Sequence, residues 1–347
     1  MKVQAERLKE IAIHILKGLH AAEEEAAVVA EALITAELRG IDTHGVHLLT
    51  LLPERVEAGM LQIPTSLTVL KESGATALLD GGNGLGPAAV HRAMGISIRK
   101  AREFGVGCCL VRNTNNIGIL SFYTLTAAQQ KMVGIVMSNA AAAMSPWGGT
   151  EPFFGTNPLS ISVPGEAGAP PVVLDMSSTV VARGKIRRAA RLKERIPEGW
   201  AFDEMGTPTT DPAEALKGTL MPIGGPKGYG LALMIDVLAG MLSGSQYGPE
   251  IRTFHQLEGP TGVGVFTLAV EIERFMPLGQ FTALFRTYLM SIKASRKAKG
   301  VTRIYLPGEI EYEKEQQSLN EGIEVSPATA GKLNAMLEQF NSPLRLT

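Results

Sequence analysis

Lys227 sits in the run Gly224-Gly225-Pro226-Lys227-Gly228-Tyr229-Gly230, and an almost wholly apolar stretch follows it to Leu242. Glycines let a backbone turn tightly and approach a ligand with no Cβ in the way. The helix that follows presents free N–H groups and the positive end of its dipole, so a lysine at the junction suits an anion, most simply a phosphate. A plain buried helix with a glycine-rich entry has the same appearance. The spacing is not that of a P-loop, because Gly228 rather than Ser or Thr follows Lys227. A second glycine turn, Gly84-Leu85-Gly86-Pro87-Ala88-Ala89, lies between an expected strand and an expected helix and imitates a dinucleotide fingerprint. It matches only as Gly-x-Gly-x-x-Ala, and no acid ends a strand about twenty residues later. Arg99, Lys100 and Arg102 lie there instead. No His/Cys/Asp cluster has metal-ligand spacing, and no Ser-His-Asp arrangement is suggested.

The elements that must carry these residues follow from periodicity. Residues 4–18 and 21–39 place apolar side chains at helical spacing, and Gly40 is a natural stop for the second helix. Another apolar helix is expected after His44, to about Glu57. Strands at Ala77–Asp80, Val106–Val111 and Val133–Met137 then alternate with helices at Ala88–Phe104 and Ser121–Gln130, which means α/β layering with an at least partly parallel sheet. Residues 144–228 are loop-dense, with strands near Leu159–Val163 and Pro171–Asp175. A strand at 262–271 and helices at 278–297 and 326–340 complete the chain.

The 347 residues are 45% hydrophobic and 19% charged, an ordinary globular balance with room for more than one subdomain. A formal net charge of −1 gives no reason to expect nucleic acid or an anionic membrane as partner. Cys108 and Cys109 are neighbours in one strand and point to opposite faces, so a reducing compartment is the default. The charged N-terminus lacks a signal peptide's apolar core, and the apolar run from Tyr229 to Leu242 is too short to span a membrane. A cytoplasmic protein is expected.

Several segments together resemble the type-2 malate/L-lactate dehydrogenases, which share a fold with ureidoglycolate, sulfolactate and diketogulonate dehydrogenases. They are Gly40-Ile41-Asp42-Thr43-His44-Gly45-Val46, Ser145-Pro146-Trp147-Gly148-Gly149, Gly155-Thr156-Asn157-Pro158-Leu159, Leu174-Asp175-Met176-Ser177-Ser178, Gly184-Lys185-Ile186, Pro197-Glu198-Gly199-Trp200-Ala201, Pro208-Thr209-Thr210-Asp211-Pro212 and Gly225-Pro226-Lys227-Gly228-Tyr229-Gly230. Their order and spacing extend the likeness over essentially the whole chain. The resemblance implies hydride transfer between NAD or NADP and a 2-oxo/2-hydroxy acid pair. It implies a non-Rossmann, sulfolactate-dehydrogenase-like mixed sheet with a helical domain built from both chain ends. We divide the chain into residues 1–110 with 279–347, and a central nucleotide- and substrate-binding unit, 111–278. The resemblance further implies a homodimer or larger, with the active site near the subunit interface; the apolar helix at 230–242 suits such a position.

Reduction of a ketone leaves an alkoxide that needs a proton donor. The resemblance points to His44. Asp42 or Thr43 is expected to cap the next helix, which puts His44 at its positive end, so a carboxylate must favour the imidazolium. Asp175 is the candidate. It is equally suited to contact the cofactor, or to cap its own turn through Ser177 or Ser178. Two positions depart from the family pattern. Asn116 stands where many members have a histidine; it cannot titrate, but it can donate a hydrogen bond to a carbonyl. Leu48 stands where an arginine commonly holds the substrate carboxylate, leaving His47, Arg39 and Arg183 as alternative cations. For the cofactor the resemblance points to Thr156, Asn157, Pro158, Asp175, Met176, Ser177, Pro226, Lys227, Gly308 and Glu309. Lys185, Arg187 and Arg188 form either a solvated basic face or a reader of a 2′-phosphate. Reduction of a cyclic imine suits the loss of a histidine at 116, since that substrate is already protonated. A non-catalytic nucleotide-binding protein is the reading from another class.

Overall fold

The computed structural model describes residues 1–346. After a short strand β1 (Lys2–Val3), helices α1 (Ala5–Gly18) and α2 (Glu23–Leu38) pack together. Leu8, Ile11, Ala12, Ile15 and Leu16 recur every three or four residues along α1, and all are fully buried. α2 begins on three glutamates, favourable at its positive end, and stops at Gly40, where φ is +74°. The continuous helix expected from His44 to Glu57 is absent. Asp42–His44 and Val46–Leu51 are separate 3₁₀ turns, and only Leu52–Glu57 (α3) is α-helical. Neither Asp42 nor Thr43 caps a helix, because Gly45 between the turns is extended (φ −93°, ψ −158°) and interrupts the ladder.

The sheet is built from β2 (Thr68–Ser73), β3 (Thr76–Asp80), β4 (Val106–Thr114), β5 (Met132–Ser138), β6 (Leu159–Val163) and β7 (Val172–Met176), with α4 (Gly86–Phe104) after β3 and α5 (Ser121–Gln129) after β4. The chain continues through α6 (Arg183–Leu192), a small hairpin β8 (Ala201–Phe202) and β9 (Pro208–Thr209), α7 (Pro212–Lys217) and α8 (Pro226–Ile235). β10 (Val263–Glu271) follows, then α9 (Leu278–Ala294), α10 (Glu309–Glu321), β11 (Ile323–Glu324) and α11 (Pro327–Gln339). The seven strands lie in the order β2-β3-β4-β10-β5-β6-β7. Only β3 and β4 run parallel, joined by the α4 crossover; the other neighbours are antiparallel. β10, from late in the chain, has slotted between β4 and β5 and reversed the pairing that their sequential order suggested.

The division expected at 110/111 falls inside β4, whose partners lie on both sides of it in sequence. Of the four hydrophobic clusters among the described residues, two are large. One joins α1, α2 and the His44 turn to α11; the chain ends meet there as β1 pairs with β11 and the N-terminal ammonium donates to the Val325 carbonyl at 2.9 Å. The other lies between the sheet and helices α4 and α5. Cys109 is buried in it and Cys108 half-buried, and burial pushes the thiols up to about 12 and about 11. No helix among the described residues is long and apolar enough to cross a membrane.

Candidate functional site

His44 is half-buried in the turn after α2, its Nδ1 3.0 Å from the Thr43 hydroxyl. Burial holds the imidazole down to about 4, with His47 lowering it further and the Asp42 carboxylate opposing, so it is neutral at pH 7. Glu37, in the last turn of α2, accepts the Val46 N–H at 2.8 Å. Burial raises this carboxyl to about 7; the Val46 N–H opposes and Asp42 adds to the rise. A Cβ at residue 45 would overlap the Glu37 carboxylate, so glycine there is what lets the acid reach the turn. Nothing in motif spacing singled out Glu37; its only signal was an acid among the apolar neighbours Ala36 and Leu38.

Asp175 does not meet His44. β7 carries it beneath the start of α5, where its Oδ2 accepts the Ser121 N–H at 2.7 Å. Burial raises its pKa, and that helix N–H works against the rise. Neither the expected orienting role nor a cap on Ser177 or Ser178 is made; the register of β7 in the sheet decides the partner. Asn116 Oδ1 accepts the Gly118 N–H at 2.9 Å, and its side chain lines a pocket with Leu48 and Phe254.

α6 begins against the His44 turn, because an ideal Cβ on Gly184 would lie 3.3 Å from Thr43 Cγ2. Its neighbour Arg183 donates to the Leu216 carbonyl at 2.6 Å and has no carboxylate partner among the described residues. Burial, then repulsion from Arg187, lowers its pKa. His255 lies near Arg187, His47 and Arg55: burial lowers its pKa, and these three lower it further. Of the three cations weighed against Leu48, Arg39 is committed elsewhere, buried and paired with Glu315 at 2.7 Å. Lys185 is exposed in the first turn of α6.

Most of the other cofactor candidates converge at the end of β7. The Thr156 carbonyl accepts both the N–H and the hydroxyl of Ser178 at 2.8 Å; the Ser178 carbonyl accepts the Ile223 N–H at 2.9 Å, and the Ile223 carbonyl that of Gly228. Three loops, 156–158, 176–179 and 223–228, are thereby stitched into one layer. Ser177 donates within it to the Thr179 carbonyl, and the Pro158 carbonyl accepts the Ser138 N–H. Asn157 is 1% exposed, taking the Ala140 N–H at 3.0 Å and giving to the Ala232 carbonyl at 2.9 Å. It braces α8. At the layer's edge, Gly224 and Gly225 take φ of +60° and +65°, and Pro226 and Lys227 are exposed in the first turn of α8. The Lys227 ammonium has no partner among the described residues. An unoccupied cation at a helix's positive end, behind a glycine turn, fits the phosphates of a nucleotide.

Gly308 (φ +82°) packs on the backbone of Val173 in β7, where a Cβ would come within 2.8 Å. Glu309 is occupied: against the effect of burial, Lys293, the Leu306 N–H and Arg303 hold it down to about 2, and its carboxylate braces the start of α10. No three His, Cys, Asp or Glu side chains are grouped to hold a metal ion among the described residues.

A family model described as malate/L-lactate dehydrogenase matches residues 3–334. The L-sulfolactate dehydrogenase of Methanocaldococcus jannaschii is 38% identical over 340 residues, covering 98% of this chain and 97% of that protein. The solved structure of sulfolactate dehydrogenase from that organism superposes with a TM-score of 0.93 at 36% identity, over 99% of this chain and 98% of the other. The ureidoglycolate dehydrogenase (NAD(+)) of Escherichia coli strain K12 is 32% identical, covering 94% of this chain and 93% of that protein. The (2R)-3-sulfolactate dehydrogenase (NADP(+)) of Chromohalobacter salexigens is 35% identical, covering 80% and 84%. The structure of Δ1-piperideine-2-carboxylate reductase from Pseudomonas syringae pathovar tomato superposes with a TM-score of 0.85 at 26% identity, over 97% and 99% of the two chains.

Proposed function

Because the chain belongs to the malate/L-lactate dehydrogenase family, we propose that it interconverts a 2-oxo acid and its 2-hydroxy acid with NAD or NADP, His44 handling the proton. The nicotinamide ring, when bound, supplies or accepts the hydride. Lys227 and the glycine turn before it hold the coenzyme phosphates, and the Thr156–Ser178 layer fixes that turn in place. His44 accepts the hydroxyl proton during oxidation, for which its neutral form at pH 7 is ready. During reduction an anionic substrate beside it raises its pKa, so that His44 takes a proton from solvent and passes it to the nascent alkoxide. Asn116 donates to the oxo oxygen through its amide. Arg183 holds the substrate carboxylate, the role Leu48 cannot fill. Asp175 and Asn157 act through the elements they brace.

The observation that supports this reading is the packing of Gly184 on Thr43, which sets the start of α6, where Arg183 lies without a carboxylate partner among the described residues, against the His44 turn. The test is NADH or NADPH oxidation, followed by absorbance, with a panel of 2-oxo acids. His44→Ala is expected to lose turnover at least about a hundredfold while binding coenzyme as before; undiminished turnover sinks the assignment. A second reading, reduction of a cyclic imine, draws on the side chain of Asn116, which cannot titrate, and on the reductase-like fold. Turnover of an imine alone would select it. Coenzyme binding with no turnover of any substrate would favour the non-catalytic reading.

A homodimer in the cytoplasm completes the proposal. α9 buries none of its residues, and Leu284, Tyr288 and Met290 stand exposed on it, as do Met234, Met241 and Leu242 around the end of α8. Apolar faces of that extent call for a partner surface. Two unpaired thiols suit a reducing compartment.

A further inference from the structure

Between α2, the turn after Gly45 and the loop that follows β4, a narrow pocket of about 30 Å³ is walled by Leu33, Leu48, Leu52, Leu61, Leu85 and Phe254. That volume is room for a group of methyl or ethyl size, since a single water needs roughly 10–15 Å³. The polar atoms come from Asn116 and Gly118. Asn116 Oδ1 is already taken by the Gly118 N–H, which leaves the amide NH₂ as the pocket's donor. No charged side chain lines it. A cation, Arg55, lies fully buried against the Phe254 wall: its guanidinium is 4.4 Å from that ring's centroid, and its Nη1 donates to the carbonyls of Phe254 (2.8 Å) and Gln256 (2.7 Å). The wall is therefore held in place by a cation whose terminal nitrogens are turned to backbone carbonyls and the Asn115 amide oxygen rather than into the pocket. Leu48 enters the pocket from the Val46–Leu51 turn, its N–H bonded to the Gly45 carbonyl at 3.1 Å.

We infer that this pocket receives a short uncharged alkyl group of the substrate, so that the enzyme selects 2-oxo monocarboxylic acids with a small aliphatic side chain over those with a second anionic group. The inference rests on the proposed 2-oxo acid chemistry and specifies its substrate. A carboxylate or sulfonate pushed between Leu48 and Leu52 would lose its water and meet no cation. A methyl or ethyl group instead exchanges water for an apolar wall on every side but the Asn116 amide, which then remains for the oxo oxygen. A longer chain exceeds the pocket's volume.

The test compares kcat/KM for pyruvate, 2-oxobutyrate, 2-oxohexanoate, oxaloacetate and sulfopyruvate in the intact protein and in Leu48→Ala and Leu48→Arg. NADH or NADPH binding by fluorescence is measured alongside. Wild type is expected to favour pyruvate or 2-oxobutyrate over oxaloacetate by about tenfold or more. Leu48→Ala moves the optimum towards 2-oxohexanoate, and Leu48→Arg raises oxaloacetate relative to pyruvate by about tenfold. If Leu48→Arg does not fold, the wild-type ranking and Leu48→Ala decide. A wild-type preference for oxaloacetate or sulfopyruvate overturns the inference and leaves the 2-oxo acid reading standing, as does a ranking that Leu48→Ala leaves unchanged. Silence on all five acids with coenzyme bound overturns both.

Discussion

His44 and Glu37 flank one glycine and are shifted in opposite directions by the same cause, burial. His44 lies near 4 against an ordinary 6.5, and Glu37 near 7 against 4.5. As pH falls below 6.5, the unfolded imidazole takes up a proton that folded His44 refuses until about 4, so stability is lost towards acid. The folded Glu37 carboxyl keeps its proton up to about 7, while the unfolded one releases it above 4.5; that contribution is full below 4.5 and is lost as pH rises through 7. Across the overlap the two slopes, each at most about 1.4 kcal/mol per pH unit, oppose one another. Glu37→Gln is therefore expected to gain on wild type as pH rises from 4.5 to 7, by up to about 3 kcal/mol. His44→Gln should gain as pH falls from 6.5 to 4. Urea unfolding at a series of pH values reads both; curves parallel to wild type would refute the opposed pair.

At the scale of elements, the glycine turn, the start of α8 and the loops beneath it act as a unit because buried side chains tie them. Asn157→Ala removes two buried hydrogen bonds and leaves a non-glycine residue at φ +27°. A loss of about 2–4 kcal/mol is expected, together with weaker coenzyme binding as α8 shifts. Lys227→Ala, at an exposed site, should leave the melting temperature within about two degrees and weaken coenzyme binding at least tenfold. Calorimetry and a binding titration on both variants separate bracing from contact. Equal melting losses would mean that Lys227 is structural; unchanged binding in Lys227→Ala would remove the phosphate assignment.

For the whole molecule, α9 is an amphipathic arm whose apolar side faces solvent in the single chain. Placing charge there tests the dimer directly. Wild type is expected to sediment at twice the chain mass, and Leu284→Glu with Tyr288→Glu as a monomer at micromolar concentration. A monomeric wild type, or a double variant that still pairs, rules α9 out as the interface.

What is local was legible in the sequence. The apolar period of α1, the stop at Gly40 and the positive-φ glycines before Lys227 are constraints on neighbouring residues, and they hold wherever the chain goes. The strands at Leu159–Val163 and Val133–Met137 could be read the same way. α10 could not, since its stretch Glu309–Glu321 is almost wholly polar and buries a single residue, Ser318. The partners of single side chains were likewise hidden. Asp175 binds Ser121 rather than His44 because strand register and the orphan N–H groups of α5 decide its neighbour. Leu48 and Asn116, far apart in sequence, share a pocket only because the helical core closes over the loop that follows β4. Sequence alone determined the turns and periods, which depend on nearest neighbours; the tertiary structure decided which side chains meet, because that depends on how distant strands insert and in what register.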